Sequence, residues 1–225
     1  MPLVYLVIDH WTPFVEELYR LGIRKFFVTD LRALGPALER GCDVIVDNGA
    51  YRSGSASFGM SLFAARRGLK YILPDVVGDP DATVEMHARF AEMVSERELA
   101  NGFVVLQGAT FEECERQLEK LRELGIVKRF VAFGGPKHLR RRRREDEMIV
   151  KRLYSLCRRY GYWFHVLGRA RSTCDSFDTA SWAYRMLEQK LNGKPYTTVP
   201  IIDFVKRYEQ GRPVPTDTLA HFEKE

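Results

Sequence analysis

Val44-Ile45-Val46-Asp47-Asn48-Gly49-Ala50-Tyr51 is a short β-branched run that ends in a carboxylate, a small-residue turn and an aromatic ring. Such an ending builds a core poorly. It suits a strand mouth that receives a ligand: the carboxylate stands at the strand's end, the small residues let a ligand approach the backbone, and the ring offers a stacking face. Asp, Asn and Gly also favour turns, so one such stretch alone reads equally well as an ordinary strand exit. The same arrangement recurs along the chain, and the recurrence decides the fold.

Apolar runs at 3–8, 26–28, 44–46, 71–73, 103–106, 130–133, 163–167 and 174–177 end, in order, at Asp9-His10, Thr29-Asp30, Asp47, Pro74-Asp75, Gln107-Gly108, Gly134-Gly135-Pro136, Gly168 and Asp178. Helical patterns separate them. Thr12-Pro13 opens one at 12–21, and others read at 31–40, 57–67, 145–160 and 179–191. Asp79-Pro80 opens a long one, whose Val84, Ala88 and Ala91 are expected to form its buried stripe. Thr110 and Glu113 form a capping box, followed by Cys114, Leu118, Leu121 and Leu124 at helical spacing and Gly125 as the stop.

Strands that are continuously apolar rather than alternating belong to a parallel sheet covered on both faces. About eight β/α units in series point to a (β/α)8 TIM-type barrel in one domain. The runner-up, a doubly wound open sheet, lacks any G-x-G-x-x-G at a helix start. The barrel is expected to occupy 1–193, with 194–225 as a tail packed on it that contains an amphipathic segment at 201–208.

Composition fits this reading. A chain of 225 residues is ordinary for a closed barrel, and 45% apolar residues suffice for its core. The apolar N-terminus, 1–8, is too short for a signal peptide or a membrane span, so a soluble, cytoplasmic protein without membrane partners is expected. The four cysteines, Cys42, Cys114, Cys157 and Cys174, are scattered without C-x-x-C spacing and read as small buried residues rather than zinc ligands or disulfides. A net charge of +5 is compatible with nucleic acid without requiring it.

In a (β/α)8 barrel the catalytic groups come from the C-terminal ends of the strands. Those ends supply Asp9, Asp30, Asp47, Asp75, Gln107, Gly134, Gly168, Asp175 and Asp178. So many carboxylates at one rim repel each other, which packing alone does not explain. Asp30 and Asp79 are placed as helix N-caps, Asp9 is assigned to structure with Asp30, and the others call for a ligand or a reaction. His165, in mid-strand, reads as a buried, hydrogen-bonded histidine.

The motifs resemble those of the tRNA-guanine transglycosylase superfamily. Asp47-Asn48-Gly49-Ala50-Tyr51 is similar to its Asp-Ser-Gly-Gly-(Phe/Tyr), and Pro74-Asp75 stands where the family has a base-reading aspartate. Val105-Leu106-Gln107-Gly108 resembles its Val-Gln-Gly, Val131-Ala132-Phe133-Gly134-Gly135 its Ala-Ile-Gly-Gly, and His165-Val166-Leu167-Gly168 its Tyr-Leu-Met-Gly. Asp175-Ser176-Phe177-Asp178 resembles its Asp-Met-Phe-Asp. The chain departs from the tRNA enzymes in having Thr179-Ala180-Ser181-Trp182 where they carry Pro-Thr-Arg, and in lacking zinc ligands at usable spacing. It looks more like the compact branch that inserts a 7-deazaguanine such as preQ0 into DNA, with tRNA as the alternative substrate.

The resemblance implies a base exchange in which Asp178 is the nucleophile and Asp47 the general acid/base, following retaining-glycosidase logic at an N-glycoside. It implies that Asp75 and Gln107 read the guanine edge, that the backbone of Gly134 and Gly135 contacts the same base, and that Tyr51 and Leu167 sandwich its ring. No metal or other cofactor is called for, and the co-substrate is a 7-deazaguanine base. Lys137 and Arg140, Arg141, Arg142, Arg143 and Arg144, in the loop after the sixth strand, are the candidate contacts to the nucleic-acid backbone. Asp178 also reads as the N-cap of a helix beginning at Thr179. Room remains for a protein partner or a homo-oligomer to supply further recognition surface. Three other readings compete: a hydrolase releasing a modified base, a non-catalytic nucleic-acid-binding relative, and a metal-dependent barrel hydrolase using Asp9 and His10.

Overall fold

The computed structural model describes residues 2–50, 54, 56–135, 143–168, 173–179 and 199–211, with the backbone alone for Arg143, Arg144, Val199 and Pro200. Its strands are β1 (Leu3–Ile8), β2 (Lys25–Val28), β3 (Asp43–Val46), β4 (Lys70–Ile72), β5 (Gly102–Leu106), β6 (Phe130–Phe133), β7 (Trp163–Val166) and β8 (Ser176–Thr179). They run in sequence order around one closed barrel, and the registered pairs are parallel. The described helices are α1 (Pro13–Arg20), α2 (Leu31–Glu39), α3 (Phe58–Arg66), α4 (Pro80–Ala91), α5 (Glu96–Leu99), α6 (Phe111–Glu123), α7 (Arg143–Arg159) and α8 (Val199–Glu209). The chain is therefore an α/β barrel of the (β/α)8 type, as its buried-on-both-faces strands require.

Local chemistry starts the helices where the sequence puts cap residues. The side chains of Thr12, Asp30, Asp79 and Thr110 accept backbone N–H groups of the first turns of α1, α2, α4 and α6. One additional turn, α5, carries its own capping box from Ser95 and Glu98 and went unread because four residues give no periodicity. In α4 the buried face is Thr83, Val84, His87 and Phe90, rather than Val84, Ala88 and Ala91. The helix is rotated this way because the ring of Phe90 packs between Phe58 and Tyr71, each 5.8 Å from it between centroids. Leu124, expected in the buried stripe of α6, is the C-cap and lies exposed.

Contacts concentrate in two compact units, one comprising described residues 2–44, 168, 176–179 and 199–211. Within it α8 lies along β1, Lys25 Nζ meets Glu209 Oε1 at 2.9 Å, and the Phe177 ring meets Tyr208 at 5.0 Å. The Tyr5 hydroxyl donates to Asp43 Oδ2 at 2.8 Å, and burial together with that carboxylate pushes the phenol far above its ordinary value.

The second unit comprises residues 45–135, 143–167 and 173–175. Tyr71 faces the helix layer through Phe90, so its strand neighbour Ile72 and the paired Phe103 face inward. Phe103 stacks on Phe130 at 4.6 Å and takes an edge-to-face contact from the buried His165 at 5.6 Å. Alternation then puts Val105 and Gln107 on that same inward face. All four cysteines are buried and outside any disulfide among the described residues, and burial pushes the Cys157 thiol up to about 12.

His87 is fully buried in α4, and neither ring nitrogen has a hydrogen-bond partner among the described residues. Burial lowers its pKa to about 3, so the folded protein holds it neutral where the unfolded chain, near 6.5, takes a proton. The unfolded state binds more protons between those values. Stability contributed by the neutral ring is thus complete above pH 6.5 and declines as pH falls toward 3, by up to about 1.4 kcal/mol per pH unit. Urea unfolding of His87→Leu should show a shallower loss across that window than the parent. An identical pH slope would show that His87 does not carry it.

Candidate functional site

β3 ends at Val46, and the chain leaves it through Asp47, which is partly exposed, and Asn48, which is buried. The Asn48 carboxamide folds back over the strand end. Its Nδ2 donates to Leu73 O at 2.6 Å and to Asp75 Oδ1 at 2.5 Å, while Oδ1 accepts from the Ala50 N–H at 2.8 Å. The last bond, from a side chain to the backbone two residues on, makes the turn after β3. One side chain thereby fixes the exits of β3 and β4 together.

Asp75 follows β4 and is buried beside Gln107, which follows β5. Gln107 Nε2 donates to Asp75 Oδ2, and Gln107 Oε1 accepts from the Gly78 N–H at 3.1 Å. Each oxygen of the Asp75 carboxylate thus accepts from a neutral amide. A buried charge costs several kcal/mol unless hydrogen bonds compensate it, roughly, and here two carboxamides do so. An ionised carboxylate is an acceptor only, suited to donors on a ligand.

At Gly134, just past β6, a Cβ would stand 2.6 Å from Gln107 Nε2, so any side chain there would displace the Gln107 amide. Gly108 is similarly required, since a Cβ would meet the Cys114 backbone nitrogen at 2.7 Å where α6 begins. Gly134 thus lies against the Gln107 side chain, and Gly108 against the first turn of α6. Leu167, past β7, is partly exposed and donates its N–H to Phe133 O at 3.0 Å.

In the other unit Asp178 lies within β8, paired in register with Tyr5 of β1. Phe177 faces the helix layer through Tyr208, so Asp178 points into the barrel, where it is buried and Oδ1 accepts from the Gly168 N–H at 2.8 Å. Thr179 continues the strand, which corrects the expectation that the strand stops before Asp178 and that Asp178 caps a helix from Thr179.

Asp175 is not a rim carboxylate. It precedes β8; Oδ2 accepts from the Phe164 N–H at 2.8 Å and its own N–H donates to Phe164 O at 2.9 Å, which ties Asp175 to β7. Asp30 is the N-cap of α2, accepting from the Arg32 N–H at 2.9 Å, and hydrogen bonds from Arg32 hold its carboxyl well below the usual carboxylate range. Asp9 is exposed and pairs with His10 at 3.2 Å.

The described residues thus bring Asn48, Asp75, Gln107 and Gly134 together, and separately Asp178 with Gly168. Tyr51, Lys137, Arg140, Arg141 and Arg142 lie outside the described residues, while Arg143 and Arg144 open α7. Among the described residues no three His, Cys, Asp or Glu side chains gather in a metal-binding group. Compared with protein-family models and with curated proteins, the chain matches none of either.

Asn48 enters the sequence reading only as a spacer inside a motif. Its signal was its type: an amide between two strand-end carboxylates has partners to find. Asn48→Ala should destabilise by about 2–4 kcal/mol in chemical denaturation, since it strips bonds from a buried carboxylate and a buried carbonyl. Asn48→Asp should cost more, by placing a second carboxylate against Asp75. Loss below about 0.5 kcal/mol for both would contradict the clamp.

Proposed function

We propose that this protein exchanges guanine in a nucleic acid, DNA by preference and tRNA as the alternative, for a 7-deazaguanine base. The observation that carries the reading is the buried Asn48–Asp75–Gln107 cluster at the ends of β3, β4 and β5. Guanine's Watson–Crick edge presents N1–H and 2-amino donors beside the O6 acceptor. A carboxylate beside a carboxamide complements that edge, and a carboxylate offers about four acceptor positions, so bonds from two amides are compatible with a ligand's. Adenine, with an N1 acceptor there, does not complement it. The order of the motifs along the chain adds the resemblance to guanine transglycosylases, and a parallel barrel is an apt scaffold because strand ends position groups rigidly.

In this reading the Asp178 carboxylate attacks C1′ as the C1′–N9 bond breaks, and the electron pair leaves with guanine. Asp47 gives the departing base its proton. The incoming 7-deazaguanine loses its N9 proton to Asp47 and attacks C1′, which releases Asp178. Inverting the sugar twice keeps its configuration, as in retaining glycosidases. The target base must leave its stack, at a cost of a few kcal/mol by rough reckoning. Lys137 and Arg140 to Arg144 hold the phosphates on this account.

Incubation with duplex DNA, single-stranded DNA and tRNA, each with labelled 7-deazaguanine, tests the reading. Label should enter at least one polymer, and Asp178→Ala and Asp178→Asn should abolish the exchange. Asp47→Asn should slow it by about 10²–10⁴-fold. Release of a base without incorporation would make the protein a hydrolase instead. Exchange that survives both Asp178 changes would refute the mechanism. Replacing two of Arg140 to Arg144 by Ala should weaken polymer binding and flatten its logarithmic salt dependence by roughly two; an unchanged slope would remove these arginines from the interface.

A further inference from the structure

Gln117 is a polar residue in the middle of the buried face of α6, flanked there by Cys114, Leu118 and Leu121. Its carboxamide reaches the end of β5: Oε1 accepts from the Gln107 N–H at 2.9 Å, and Nε2 donates to Val105 O at 2.9 Å. The direction of these bonds explains why an amide is needed. Phe103 O faces β4 and receives the Leu73 N–H at 3.0 Å, whereas Leu106 O faces β6 and receives the Gly134 N–H at 3.0 Å. Backbone groups alternate along a strand, so Val105 O and the Gln107 N–H face the β4 side. There β4 has ended, and its chain turns through Pro74 toward Asp75. The Gln117 amide, one donor beside one acceptor, takes the place that a peptide unit of β4 would fill. The backbone past the end of β5 is thereby held as far as Gln107 without β4 beside it, which leaves the β4 chain to bring Asp75 against the Gln107 side chain.

We propose that Gln117 is a positioning residue for base recognition: it fixes the backbone of Gln107 so that the Gln107 carboxamide meets the O6 oxygen of the base. This rests on the base-exchange reading. No motif of that reading includes Gln117, and Gln117 makes its two bonds to backbone rather than to the site's side chains.

Affinity for 7-deazaguanine and for 2-amino-7-deazapurine, which lacks O6, measured by titration calorimetry, separates positioning from mere support. The wild-type protein should prefer 7-deazaguanine by roughly tenfold or more. Gln117→Met, close in shape but without the amide, should reduce that preference to the level of Gln107→Ala. The double variant should then add little to either single change. Gln117→Glu, which keeps an acceptor for the Gln107 N–H and loses the donor to Val105 O, reads out the same ratio if the methionine variant fails to fold. A general loss of stability would weaken both ligands alike and leave the preference intact, and that result would overturn the proposal while the base-exchange reading stood. A wild-type protein that binds neither base would overturn the base-exchange reading, and this proposal with it.

Discussion

The Asp75 carboxylate is buried, and everything around it answers to that. A charge removed from water must be compensated by hydrogen bonds, and the two oxygens receive one carboxamide each, from Asn48 and Gln107. Those two side chains must in turn be held. Asn48 is fixed by Leu73 O and the Ala50 N–H, and Gln107 by the Gly78 N–H and, through its backbone, by Gln117. Gly134 gives up its side chain so that the Gln107 amide fits. Four strand ends and one helix face are thus organised around a single acid. Partly satisfied, such a network would be worse than an apolar core, which is why each amide around Asp75 is itself held in place.

The barrel was legible because its strands are covered on both faces and so read as unbroken apolar runs, while cap residues such as Thr12, Asp79 and Thr110 announce the helices between them. Errors arose where tertiary contact overrides local pattern. Asp178 before Thr179 looks like a helix cap, yet pairing with β1 carries the strand through both residues. Asp175 looks like a rim carboxylate, yet it closes two backbone bonds to Phe164 where β8 begins. In α4 two stripes fit the spacing, and the ring of Phe90 decides between them.

In the candidate site, the polar residues that end apolar runs were legible, and the amides Asn48 and Gln117 were not. Asp47, Asp75, Gln107 and Asp178 stand out as polar residues ending or interrupting apolar runs. Asn48 and Gln117 act through partners that are 25 and 10 residues away, Leu73 and Gln107, and no spacing rule connects them. A trace of Gln117 was nonetheless visible: it shares the helical face of Cys114, Leu118 and Leu121, where a polar side chain must find a bond or cost stability. Polar residues inside an apolar stripe thus deserve the scrutiny usually given to charged ones.

The central claim is that the chemistry passes through a sugar–enzyme ester on Asp178. Mass spectrometry of the protein quenched during turnover with a guanine-containing oligonucleotide, followed by tryptic digestion, tests it directly. The account predicts a covalently bound oligonucleotide on the peptide spanning 172–185, carried at Asp178 and lost on adding a 7-deazaguanine base. Exchange with no adduct, or an adduct at another residue, would contradict it.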